Sequence, residues 1–233
     1  MPLGIKGFTP TSLIDWPGKI AAVIFLPGCN FRCHYCCNPE FLENIENIED
    51  VEDNIVFNFL EKKKKWLDGV VMLGGEPTIH KNFWKIIGRL KDLDFKIAVH
   101  TNGTNPECVK ELLDKDLVSF FAMDIKAPLE SYKKVVDVEF SSEAIKESVQ
   151  IIRDSKVDYE FRTTVVPGFT EKEDIKKIGE WLCGSKKYFI QQFRPEKLLD
   201  LKLREVKPFK IPELLEFKKI AEQYFDKVEV RGI

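Results

Sequence analysis

Four of the six cysteines, Cys29, Cys33, Cys36 and Cys37, fall within nine residues. In the segment Gly28-Cys29-Asn30-Phe31-Arg32-Cys33-His34-Tyr35-Cys36, three thiols recur at i, i+4 and i+7 on a short loop, so they can converge on one metal centre. Structural zinc sites generally need four ligands, commonly as two separated pairs, and no second pair occurs. Low-potential ferredoxin loops use two-residue gaps and a fourth cysteine. Three thiolates on a 4Fe–4S cluster instead leave one iron without a protein ligand, and an open position is what a reactive centre requires. Adjacent residues rarely both reach one compact cluster, so Cys37 reads as a small buried or free thiol. His34 reads as a loop residue, and Cys108 and Cys183 stand alone. A degraded zinc site is the alternative for the loop.

Further polar residues stand at the ends of apolar runs. In Leu73-Gly74-Gly75-Glu76-Pro77 the glycines admit close backbone approach, and their carbonyls and Glu76 can accept from an ammonium group. Thr101-Asn102-Gly103 has the composition of a common turn. In Asp124-Ile125-Lys126 a two-residue period sends both charges to one side, either toward a ligand or as a rim ion pair. Arg162, among apolar neighbours, needs a ligand or an internal carboxylate. Val165 and Phe193 read as core unless a ligand claims them. The three histidines are not arranged as an acid–base pair.

These residues need a scaffold. Apolar runs at 20–26, 69–73, 95–100, 117–125, 159–166, 188–193 and 228–230 read as strands. Between them, stretches near 52–66, 82–93, 106–115, 141–155, 171–183 and 211–225 read as helices. Such alternation implies parallel strands with right-handed crossovers. A doubly wound sheet would satisfy the pattern, but functional residues at successive strand ends favour an incomplete, open (β/α)6-type barrel. No linker or repeat divides the 233 residues, so a single domain is expected, with segment 1–18 packed on the barrel. The net charge of −2 supplies no field for nucleic acid or an anionic membrane. Without a signal-peptide pattern or a ~20-residue apolar span, the expectation is a soluble, cytoplasmic protein with reduced thiols. The run Lys62-Lys63-Lys64-Lys65 reads as a solvated face before a docking patch for an acidic partner.

Cys29-x3-Cys33-x2-Cys36, with an aromatic residue before the last cysteine, resembles the radical S-adenosylmethionine (SAM) enzymes. Thr11-Ser12-Leu13-Ile14-Asp15-Trp16-Pro17-Gly18-Lys19, the cysteine loop and Asn38-Pro39-Glu40 together resemble the anaerobic ribonucleoside-triphosphate reductase-activating proteins, a branch of the glycyl-radical-enzyme activases. The resemblance implies a partial TIM barrel of the radical SAM type. It also implies one 4Fe–4S cluster on Cys29, Cys33 and Cys36, and S-adenosylmethionine held by Tyr35, Gly74, Gly75, Glu76, Thr101, Asn102, Asp124, Lys126, Arg162, Val165 and Phe193. In relatives the Gly-Gly-Glu-Pro stretch holds the methionine amino group. Asp124 would bond ribose hydroxyls and Lys126 the methionine carboxylate, while the strand end at Val165 and the ring of Phe193 would cover adenine. Some activases hold a monovalent cation through an acidic residue before the Thr-Asn-Gly; His100 stands there, which leaves that cation in doubt. The implied partners are a glycyl-radical enzyme, most simply anaerobic ribonucleotide reductase, and a flavodoxin or ferredoxin-type electron donor. Alternatives are a radical SAM enzyme acting on a small molecule and a non-catalytic iron–sulfur or zinc protein.

Overall fold

Apolar runs that end in glycine or polar turns become strands, and the amphipathic stretches between them become helices, in the computed structural model, which describes residues 2–43 and 45–233. Of segment 1–18, Met1 lies outside the described residues. The chain forms two compact units whose sequences interleave: Met1–Asn30, Glu40–Ala122 and Ala144–Asp158 in the first, and Phe31–Pro39, Met123–Glu143 and Tyr159–Ile233 in the second. No described helix is long and apolar enough to cross a membrane.

In the first unit, β1 (Gly7–Ser12), β2 (Ala21–Leu26), β3 (Gly69–Gly74) and β4 (Ile97–Thr101) neighbour one another in chain order, and the start of β5 (Phe120–Asp124) follows. β2 and β3 run parallel, Ala21 opposite Gly69 through Leu26 opposite Gly74, so both release the chain at the same level. The crossovers are α1 (Asp53–Lys63), α2 (Phe83–Asp92) and α3 (Pro106–Asp114). In the second unit, the end of β5 lies beside β6 (Asp158–Val165), with Ile125 N–H donating to the Arg162 carbonyl at 2.7 Å. β7 (Ser185–Gln192) and β8 (Phe225–Arg231) continue in parallel, linked by α6 (Lys172–Trp181) and α7 (Ile211–Ala221). The helix α5 (Ser142–Asp154) precedes β6. The parallel α/β class is thus the one expected.

Three differences from the sequence reading have physical reasons. β1 is a strand outside the expected set, in a run whose Gly7 and Pro10 are poor strand formers. It pairs antiparallel with β2, and an edge strand tolerates proline since one row of its amides faces no partner. The strand expected at 95–100 begins at Ile97, because Phe95 N–H closes α2 on the Leu90 carbonyl at 3.0 Å after left-handed Asp94. The strand expected at 117–125 begins at Phe120, because Leu117 N–H closes α3 on Leu112 at 2.9 Å. A short helix, α4 (Tyr132–Val136), was not expected at all.

Within the first unit, Trp16 is 5% exposed and packs with Ala21, Val23, Val71, Ala98, Phe120 and Ala122. Its ring stacks on Phe120 with centroids 5.8 Å apart. The alanines on three strands leave room for one large ring brought in by the N-terminal segment, which explains why that segment carries Trp at this position. Rigid strands cannot collapse into the space, so Trp16→Ala is expected to cost about 3–5 kcal/mol in urea unfolding and Trp16→Phe clearly less; a loss under about 1 kcal/mol for the alanine variant would show that the ring is dispensable.

Candidate functional site

The parallel β2–β3 pair decides where the first group of residues stands. Gly74 lies at φ +131, and a Cβ there would meet the Leu26 carbonyl oxygen at 2.3 Å. A Cβ on Gly75 would meet the Gly28 carbonyl oxygen at 2.0 Å. These glycines therefore serve first to let the end of β3 lie against the start of the cysteine loop, with Gly75 N–H on Leu26 at 2.9 Å and Glu76 N–H on Gly28 at 2.7 Å. The same glycine freedom that sequence reasoning assigned to a ligand is used by the backbone.

Glu76 is 1% exposed. Its Oε1 accepts from Thr78 N–H (3.1 Å), Thr78 Oγ1 (2.6 Å) and Thr101 Oγ1 (2.9 Å), and its Oε2 from Asn102 N–H (2.6 Å). Burial raises its pKa, and these donors oppose the rise. Asn102 extends the network to the cysteine loop, its Nδ2 lying 2.9 Å from Asn30 Oδ1 and 3.8 Å from Cys29 Sγ. Asn30 and Thr104, which close this network at 2.8 Å, escaped the sequence reading because polar turn residues carry no distinctive signal. His100 sends Nε2 to within 2.8 Å of the Asp15 carbonyl oxygen. A carbonyl only accepts, so Nε2 carries the proton in this contact, and the position before Thr101 ties β4 to the N-terminal segment.

In the second unit, the rest of the cysteine loop is held by the unexpected α4. Arg32 N–H donates to the Val136 carbonyl at 2.8 Å and His34 N–H to Val135 at 3.4 Å, so the open C-terminal end of that helix supplies acceptors to the loop. Phe31 meets Tyr132 and Phe140 edge-on. None of the six cysteines is in a disulfide, and Cys33 is buried while Cys37 is exposed. Burial pushes the Cys36 thiol up to about 12. The Tyr35 hydroxyl is buried with no hydrogen-bond partner among the described residues. Cys108, on α3 in the first unit, is likewise pushed to about 12 by burial and reads as an inert packing thiol; Cys183 is exposed.

Asp124 at the end of β5 bridges two cations, with Oδ2 3.0 Å from Lys126 Nζ and Oδ1 2.9 Å from Arg162 Nε. The internal carboxylate that Arg162 needs is therefore Asp124. Burial would raise the Asp124 pKa, but the charges of Arg162 and Lys126 outweigh it and hold the carboxyl well below its usual range. Burial alone would lower Lys126, and Asp124 reverses that, keeping the ammonium charged. Val165 and Phe193 are both buried, at 0% and 1% exposure, on β6 and just after β7.

The fit to an iron–sulfur centre with an amino-acid cofactor is good on this chain's own terms. Unbridged soft thiols lie on a pinned loop, an orphaned tyrosine hydroxyl lies between two of them in sequence, and a fixed ammonium stands on the adjoining strand end. Among the described residues no three His, Cys, Asp or Glu side chains are grouped as ligands of a single metal ion.

The Asp124 bridge makes a stability prediction. A depressed carboxyl stabilises the fold above the ordinary carboxylate range and loses that contribution as pH falls through it. Asp124→Asn leaves two half-buried cations without their carboxylate and is expected to cost about 2 kcal/mol at pH 7 in urea unfolding, with the gap to wild type narrowing below about pH 4. A gap unchanged down to pH 3 would contradict the bridge.

Comparison with known proteins places these features. The Radical SAM superfamily pattern matches residues 23–182. A Methanocaldococcus jannaschii protein provisionally assigned as a glycyl-radical enzyme activating enzyme, MJ1227, is 36% identical over 98% of this chain and 96% of its own length. The pyruvate formate-lyase-activating enzyme of Streptococcus mutans is 27% identical over 77% of this chain and 71% of its own. Among solved structures, Streptococcus suis SuiB bound to the precursor peptide SuiA shares the fold, with a TM-score of 0.69 at 13% identity over 90% of this chain and 48% of that one. The chain belongs to the radical SAM superfamily and, within it, to the glycyl-radical-enzyme activating enzymes.

Proposed function

We propose that the chain activates an anaerobic ribonucleoside-triphosphate reductase by removing hydrogen from one backbone glycine of that enzyme. The observation that carries the reading is the N-terminal run Thr11–Lys19 followed by Gly28–Cys36 and Asn38-Pro39-Glu40. The run is a built element in the first unit: Ser12 Oγ bonds Asp15 Oδ2 at 2.6 Å, and Trp16 is buried beside it.

In this reading Cys29, Cys33 and Cys36 would hold a 4Fe–4S cluster. When bound, the cluster and S-adenosylmethionine together would supply one-electron cleavage of the sulfonium carbon–sulfur bond and hydrogen-atom abstraction. The protein orients and shields. Lys126, kept charged by Asp124, pairs with the methionine carboxylate, and Asp124 offers its oxygens to ribose hydroxyls. Gly74, Gly75 and Glu76 receive the methionine ammonium, and Thr101 and Asn102 hold the nucleoside edge on the network that Glu76 fixes. Tyr35, Arg162, Val165 and Phe193 complete the lining around ribose and adenine. Glycine suits the substrate role because no side chain obstructs Cα. An acidic one-electron carrier of the flavodoxin or ferredoxin type supplies the electron.

The test is anaerobic incubation of the reconstituted chain with S-adenosylmethionine, dithionite and the candidate reductase. Electron paramagnetic resonance is expected to show a glycyl radical on the reductase, accompanied by methionine and 5′-deoxyadenosine. Nucleoside formation with no protein radical would overturn the assignment in favour of a small-molecule substrate.

A further inference from the structure

After β7 the chain does not turn directly into α7 but runs as a strap through residues 194–210. Six cations, Arg194, Lys197, Lys202, Arg204, Lys207 and Lys210, stand there against three carboxylates, in a chain whose net charge is −2. Leu198 and Leu203 are buried and fasten the strap to the second unit. Its far end is held where Gln192 Nε2 donates to the Phe209 carbonyl at 2.6 Å and Phe209 packs edge-on against Phe217 of α7.

The middle of the strap is tied to the cysteine loop. Asp200 N–H donates to the His34 carbonyl at 2.9 Å, and Asp200 Oδ2 lies 3.4 Å from His34 Nδ1. His34 follows Cys33 directly, so one hydrogen bond and one residue separate the strap from a proposed cluster ligand. Beyond Asp200 the short turn Leu201–Glu205 presents Leu201, 60% exposed, followed by the exposed cations Lys202 and Arg204, with Leu203 buried between those two. An exposed apolar side chain on a strap with an excess of cations suits a transient partner of opposite charge, since the cations steer encounter while the apolar side chain gives contact.

We infer that this strap is the docking surface for the acidic one-electron carrier that feeds the cysteine-loop centre. The inference rests on the proposed function. In each turnover one electron leaves the reduced carrier, oxidising it by one unit, and is taken up in the carbon–sulfur cleavage of the sulfonium. The competing basic run, Lys62–Lys65, lies beyond the other end of the strands: it precedes the start of β3, whereas Cys29 follows the end of the parallel β2, six residues and roughly 20 Å away.

The experiment pairs Lys202→Glu/Arg204→Glu with a comparator of equal charge change, Lys62→Glu/Lys63→Glu, all reconstituted. The probe is an acidic flavodoxin, with affinity read by anisotropy at low salt and the rate of iron–sulfur reduction by stopped flow. The strap variant is expected to lose about tenfold or more in both affinity and rate, to lose the salt dependence seen in wild type, and to cleave S-adenosylmethionine normally with dithionite. The comparator is expected to stay within about twofold of wild type. Equal binding by the strap variant, an equal loss in the comparator, or a loss with dithionite would each overturn the docking assignment. Absence of dithionite-driven cleavage in the wild type would instead overturn the proposed function, with the binding measurement still deciding the surface.

Discussion

A carboxylate drawn away from water must be saturated with donors or opposed by cations; Glu160, 1% exposed, meets Arg231 in this way, and Glu76 and Asp124 do so at the strand ends of the candidate site. Glu76 gathers two backbone amides and two hydroxyls from the ends of β3 and β4 and so fixes Thr101 and Asn102 relative to Gly74 and Gly75. Asp124 is opposed instead by Lys126 and Arg162 from the ends of β5 and the body of β6. Losing either would leave polar groups in the interior without partners, a cost of several kcal/mol that the rest of the fold must otherwise meet. Glu76 and Asp124 both stand at or just past strand ends, of β3 and β5.

Much of this was legible in the amino-acid sequence, for a physical reason. Strand periodicity is short-range, so Val- and Ile-rich runs such as Ala21–Leu26 and Gly69–Gly74 announced themselves and carried the strand-end residues with them. The demand of an isolated arginine for a carboxylate likewise foretold the partner of Arg162. What stayed hidden depends on contacts far apart in the chain. β1 exists because β2 offers it an edge, against its own Gly and Pro content. The short α4 acts through two carbonyls that accept from Arg32 and His34, which no local pattern encodes. The glycines of the Gly-Gly-Glu-Pro turn were rightly read as sites of close approach, but the approaching group in the structure is the backbone of Leu26 and Gly28.

Each part of the cysteine loop is held within its own unit. Gly28 and Cys29 are set by the β3 glycines and Asn102, and Cys33 and its neighbours by α4 and the strap at Asp200.

We propose that the thiols of Cys29, Cys33 and Cys36, and not the adjacent one of Cys37, hold an iron–sulfur cluster. Oxygen-free reconstitution with iron and sulfide, followed by iron counting on wild type and on single alanine variants of these four cysteines, tests it directly. About four irons per chain are expected for wild type and Cys37→Ala, with loss of the brown chromophore in each of the other three. A wild-type chain that stays colourless or retains zinc, or a Cys37→Ala variant that loses the cluster, would contradict it.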